Sequence, residues 1–191
     1  MVKKEMLEQC PNCALEFNDC DCEWRKLRSN MVDSSIFIEA WDETSISNDC
    51  KLILDGAEKK IFLGHVSTVI LGEIFKKLLR LKKDEERGEY RYNEIHSSIV
   101  RSLMNFRQLY ICEDTIKEHS KLNVRGGQRS QDKLNMACAI QNKCNMFIIK
   151  DNDFTIDGRS KPTTLVQITD RNNPKLRKLL DEIKGLQPLD G

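Results

Sequence analysis

Apolar positions along this chain fall into short runs, and longer amphipathic stretches separate them. The run at 31–33 is expected as a strand, with helical periodicity after it around 35–42 and again around 47–60, where Leu52, Ile53 and Ala57 recur. Residues 61–66 read as a second strand. Ser67 or Thr68 then stands where a helix of about 68–86 would be capped, with Leu71, Ile74, Phe75 and Leu78 on its apolar face. A helix is expected over 93–106, a strand over 109–112 and a polar segment over 113–129. Ser130 would cap a helix of about 131–144. Strands at 146–149 and 165–168 and a basic amphipathic helix at 174–184 complete the pattern. Strands alternating with helices predict an α/β fold of three layers, a central parallel sheet covered by helices on both faces.

Where these runs end matters for chemistry. The first strand ends in Asp33, and Ser34 or Ser35 is placed to cap the helix that begins there. Ligands of open parallel sheets bind beyond the carboxyl ends of the strands, although an aspartate in a turn is also ordinary. Three further acidic points follow the same logic. Glu73 lies in the helix after the second strand, Asp132 in the first turn of its helix, and Asp151 and Asp153 just beyond the strand at 146–149. Each has a plainer reading when taken alone. Glu73 is spaced to pair with Lys76 and Lys77, Asp132 to complement a helix dipole, and the last two to serve as turn acids.

Taken together they point to a cation. Asp33 and Asp151 would share one edge of the sheet, and several carboxylates in one cleft repel one another unless a positive ion sits among them. Oxygen donors suit Mg²⁺ or Mn²⁺, which bind substrate phosphates. Two such ions roughly 3.5–4 Å apart align a water with a phosphodiester and stabilise the leaving oxygen. These motifs hold no His or Cys, so the expectation is not of catalytic zinc.

Composition narrows the picture. The 191 residues are 39% hydrophobic and 32% charged, with a formal net charge of +1, so any nucleic-acid binding must come from a local patch. No apolar run approaches the roughly 18 residues of a membrane span, and the N-terminus lacks the apolar stretch of a signal peptide. A soluble cytoplasmic protein with no membrane partner is expected, with its eight cysteines as thiols or metal ligands rather than disulfides.

Three segments are expected: a Cys-rich extension at 1–30, the α/β domain at 31–170, and a basic helix and tail at 171–191. In the extension, Cys10 and Cys13 form a C-x-x-C pair and Cys20 and Cys22 a tighter C-x-C pair. Four thiolates could hold a structural Zn²⁺. Free thiols, or a half-site completed by a second copy in a homodimer, are the competing readings. Lys121, Arg125, Arg129 and Lys133 cluster around Gly126-Gly127 near Asp132, either as contacts to the phosphates of a nucleic acid or as a solvated loop. Arg171, Lys175, Arg177, Lys178 and Lys184 give the C-terminal helix the same two readings. Aromatic residues make up only 6%, too few for an extended base-stacking platform.

In order and rough spacing these motifs resemble the PIN-domain nucleases over residues 31–170. The resemblance rests on Val32-Asp33-Ser34-Ser35, on Val69 to Ile74 around Glu73, on Gln131 to Ala139 around Asp132, and on Phe147 to Phe154 around Asp151 and Asp153. It implies a three-layer α/β/α fold and a metal-dependent endoribonuclease. Asp33, Glu73, Asp132 and Asp151 would hold Mg²⁺ or Mn²⁺, with Asp153 as an extra ligand and Ser35 as a hydrogen-bonding support. Ile149 departs from the Ser or Thr the family often carries there, which lowers the activity expected. Small stand-alone members often resemble VapC-type toxins silenced by an antitoxin, but this chain is longer than that compact pattern and its cysteine extension is not typical of it, which leaves an RNA-processing or ribosome-maturation nuclease as an open variant. The non-enzymatic alternative is a PIN-like module that binds RNA or protein without cutting.

Overall fold

The computed structural model describes residues 27–42, 44–83, 88–122, 124–125, 130–150, 155–156 and 163–185, without the side chains of 88–91, 124–125 and 155–156. In chain order the elements are β1 (Ser29–Val32), α1 (Ser34–Glu39), α2 (Ser47–Glu58), β2 (Leu63–Ser67), α3 (Thr68–Lys83), α4 (Gly88–Leu103) and β3 (Phe106–Leu109). They continue with α5 (Glu113–Lys121), β4 (Val124–Arg125), α6 (Ser130–Gln141), β5 (Met146–Ile149), β6 (Thr155–Ile156), β7 (Thr164–Gln167) and α7 (Pro174–Gly185).

Five strands form one sheet in the order β3-β2-β1-β5-β7, and every neighbouring pair is parallel. Both central strands are buried on both faces: Met31, Val32, Phe147 and Ile148 are at most 1% exposed, and β5 reads as a continuous apolar run rather than an alternating one, whereas β1 opens with the polar Ser29 and Asn30. Alternation across β2 shows the layering, because side chains three residues apart on a strand point to opposite faces. A side chain at Gly64 would meet Ala57 of α2, whereas Ser67 hydrogen-bonds Asn135 of α6. Thus α2 and α6 cover opposite faces of a three-layer α/β/α fold. Among the described residues no helix is long and apolar enough to cross a membrane.

Periodicity explains the helix packing. In α3, Ile70, Ile74 and Leu78 recur every fourth residue and are buried, while Phe75 lies outside that stripe and is 47% exposed. Leu176, Leu179 and Ile183 bury one face of α7, which packs on α2 and β7. The basic helix therefore completes the core. Arg171 at its head reaches Asp49 at 3.5 Å, and Arg177 donates to the Arg171 carbonyl at 2.7 Å. In α6, Asn135 to Ile140 are all buried, and the small Ala137, Cys138 and Ala139 let that helix pack closely.

Three expectations change. Residues 113–121, expected as part of a polar segment, form α5. Its only aliphatic side chain, Ile116, is 52% exposed, so no apolar stripe announced it. Cys112 and Thr115 close a capping box at its N-terminus instead, with Glu113 and Asp114 in the first turn. The third strand runs over Phe106–Leu109 rather than 109–112, because Phe106 is buried and packs edge-on against Phe37 at 5.1 Å, whereas Tyr110 is 56% exposed. Lastly, β4 and β6 pair antiparallel in a separate two-stranded ladder that no sequence signal marked.

Candidate active site at the carboxyl edge of the sheet

β1 is followed by β2 on one side, and β5 lies on its other side. The chain therefore reverses its direction of travel across the sheet between β1 and β5, the kind of crevice that receives ligands in open α/β sheets. Asp33 sits there. Its backbone N–H donates to the Ile148 carbonyl at 2.9 Å, which extends the β1–β5 ladder by one residue before the turn.

Asp33 itself, rather than Ser34 or Ser35, caps α1, since its extended backbone leaves the carboxylate facing the first turn. Its Oδ2 accepts from the Ser35 backbone N–H at 2.9 Å and from Ser35 Oγ at 2.5 Å. The neighbouring hydroxyl serves a second acid: Ser34 Oγ donates to Glu73 Oε2 at 2.9 Å. Adjacent serines on α1 thus each hold one oxygen of one carboxylate. Ser34 is a site residue that sequence reasoning took only for a cap, and the signal available was its place beside Asp33 at the head of a helix.

Glu73 does not pair with Lys76 or Lys77 as its spacing allowed. Lys77 Nζ instead lies 3.5 Å from Ser34 Oγ. Burial pushes the Glu73 carboxyl above its ordinary value. The Ser34 hydrogen bond opposes that shift, the charges of Asp33 and Asp132 add to it, and Lys77 offsets part of it. Glu73 on α3 therefore lies within electrostatic reach of Asp33, beyond β1, and of Asp132 on α6. A further clamp lies alongside, where Lys150, at the end of β5, pairs with the buried Glu39 of α1. Thr44 Oγ1 satisfies the second Glu39 oxygen at 2.9 Å.

Several expected residues fall elsewhere. Asp151, Asp153 and Arg129 lie outside the described residues, as do Cys10, Cys13, Cys20 and Cys22. Arg125 is described only as backbone, in β4. Lys121 is paired with Glu118 at 3.1 Å on the surface of α5. Lys133, near the site on α6, is close enough to His119 to help hold that imidazole below its ordinary value, behind the larger effect of burial. Cys50, Cys112, Cys138 and Cys144 are free thiols.

Comparison with known proteins now decides the family. The PIN domain model matches residues 31–156, more than half the chain. The chain belongs to the PIN domain family. No curated protein matches it. Among solved structures, the PIN domain here is similar to FitAcB from Neisseria gonorrhoeae, at 13% identity and a TM-score of 0.54, over 74% of this chain and 99% of that one. VapC20 from Mycobacterium tuberculosis, described as a Sarcin-Ricin loop cleaving toxin, matches at 14% identity and a TM-score of 0.47, over 65% and 92%. VapBC2 from Rickettsia felis, solved with a promoter DNA fragment, matches at 14% and 0.43, over 64% and 86%. At such identities the likeness concerns the fold.

The donor chemistry of this PIN domain fits a hard divalent cation, with oxygen ligands only and mutual repulsion that a cation would relieve. Among the described residues, no three acidic, His or Cys side chains form a group able to hold an ion. Mg²⁺ commonly takes one or two carboxylates and completes its shell with waters.

Proposed function

We propose that this PIN domain protein is a metal-dependent endoribonuclease working at the Asp33–Glu73–Asp132 edge. The observation that carries the reading is the paired clasp, Ser35 on Asp33 and Ser34 on Glu73. Each carboxylate is held by one oxygen and keeps the other for a ligand. When bound, Mg²⁺ or Mn²⁺ would supply charge neutralisation at the phosphodiester and a more acidic water. The chain's own residues would do the rest. Asp33 and Glu73 would hold the ion, Asp132 would add negative charge from the α6 side, and Asp151, outside the described residues, is the further ligand that the sequence implies. Ser34 and Ser35 keep the two acids from swinging out of line, and Lys77 lies at hand to balance a phosphate oxygen.

The test is cleavage of mixed RNAs with Mg²⁺ or Mn²⁺, comparing the protein with Asp33→Asn. Asparagine still caps a helix, so the fold should persist while activity falls on the order of 100-fold or more. Equal cleavage by both proteins would sink the assignment. A toxin role with an antitoxin partner belongs to the same proposal. Induced expression should then arrest growth, and the Asp33→Asn protein should not. A processing nuclease would leave growth intact.

A further inference from the structure

The edge acids come from elements that are far apart in sequence, so something must set α3 and α6 in register with each other. A buried hydroxyl at the end of β2 stands between them. Ser67 is 0% exposed. Its Oγ accepts from the Ile70 backbone N–H at 3.0 Å, capping the helix that carries Glu73. The same oxygen donates its proton to Asn135 Oδ1 at 2.7 Å. Asn135 is also 0% exposed and lies one turn beyond Asp132 on α6. A single hydroxyl thus joins the first turn of α3 to the first turns of α6.

The choice of asparagine needs a reason. Its neighbours Met136, Ala137, Cys138 and Ala139 are buried, and its own Nδ2 has no hydrogen-bond partner among the described residues. Leaving a buried donor unsatisfied costs on the order of 1–3 kcal/mol, and an aliphatic side chain of similar size would avoid it. An amide kept there against that cost is explained if its oxygen has a task that packing cannot perform.

We propose that Asn135, through Ser67, is a positioning residue that sets the spacing between Glu73 and Asp132 and so the affinity of the edge for its divalent cation. The inference rests on the nuclease reading above. Partners that orient ligands typically change metal affinity by about 10–100-fold when removed.

The experiment is titration of the full chain with Mn²⁺ alone, following free Mn²⁺ by electron paramagnetic resonance, with folding checked by circular dichroism. Asn135→Leu should bind Mn²⁺ at least about tenfold more weakly while remaining folded. Ser67→Ala, which removes one oxygen, should do the same and serves if Asn135→Leu does not fold. Ser67→Thr keeps the hydroxyl and should restore affinity to within about twofold of the original. A folded Asn135→Leu or Ser67→Ala protein with unchanged Mn²⁺ affinity and merely lower thermal stability would overturn the inference alone. Mn²⁺ binding that is absent from the unsubstituted protein, or indifferent to Asp33→Asn, would overturn the nuclease reading and this inference with it.

Discussion

Two sets of polar groups lie at and behind the carboxyl ends of β1 and β2, and they are treated in opposite ways. At the carboxyl edge every polar atom of Ser34, Ser35 and Ser67 that matters to the acids has a partner between 2.5 and 3.0 Å. One step back, inside the sheet, His65 is 6% exposed and neither ring nitrogen has a hydrogen-bond partner among the described residues. Asn30 on β1 is in the same state at 0% exposure. The edge spends its hydrogen bonds on arranging charge, whereas the interior tolerates polar groups that packing alone holds. Substitutions at the edge should therefore change chemistry more than stability, and substitutions in the interior should do the reverse.

Acid should break the interior first. Burial, with a smaller contribution from the Arg107 charge, pushes the His65 imidazole down to about 4 from an ordinary 6.5. The folded state thus favours the neutral ring. The stability linked to this group is complete above about pH 6.5 and is lost as pH falls through 6.5 toward 4. The shift corresponds to about 3 kcal/mol. Urea unfolding at pH 7 and pH 4.5 should show His65→Leu losing much less stability than the original chain between the two conditions. Parallel losses would contradict this account.

Next in size is a purely steric challenge to the same strand. A Cβ on Gly64 would lie 2.7 Å from the Phe106 ring and 3.0 Å from Ala57 Cβ, and Phe37 backs that ring. Gly64→Ala should cost about 1–3 kcal/mol in urea unfolding. A stability change too small to measure would show that β3 yields more readily than this packing implies.

Ser34→Ala turns the challenge to the edge. Losing the bond to Glu73 should lower stability by only about 1 kcal/mol, while RNA cleavage falls about tenfold. A variant that loses stability but keeps its cleavage rate would erase the contrast between the two regions. The smallest effect belongs to the rim. Arg28 pairs with Glu182 at 2.7 Å, but both side chains are substantially exposed. Arg28→Ala should change stability by less than about 1 kcal/mol, and raised salt should shrink even that difference.

The same contrast explains what the sequence made legible. β5 and the Met31-Val32 end of β1 were readable because burial on both faces leaves apolar runs, Asp33 was readable because it follows one of them, and the polar Ser29 and Asn30 hid the start of β1. The layering followed from alternation of strands and helices. α5 was not readable, because a helix held by a cap and by packing of Thr115 against α6 carries no apolar stripe. β3 was misplaced because Leu109-Tyr110-Ile111 looks more strand-like than the Phe106 that the core uses. The serine clasps and the Ser67–Asn135 bond depend on which hydroxyl meets which oxygen across 39 and 68 residues, and no local pattern records a pairing of that kind.

The tandem serines also bear on how this protein can change over generations. Both acids are gripped from consecutive positions of one short helix, so their fates are tied. Inserting or deleting one residue between Asp33 and Ile36 would turn the hydroxyls by about 100° around the helix axis and release both carboxylates in a single event. Divergence of this protein should therefore proceed by exchanging residues and by altering its distant loops, while the count of residues across this one turn stays fixed.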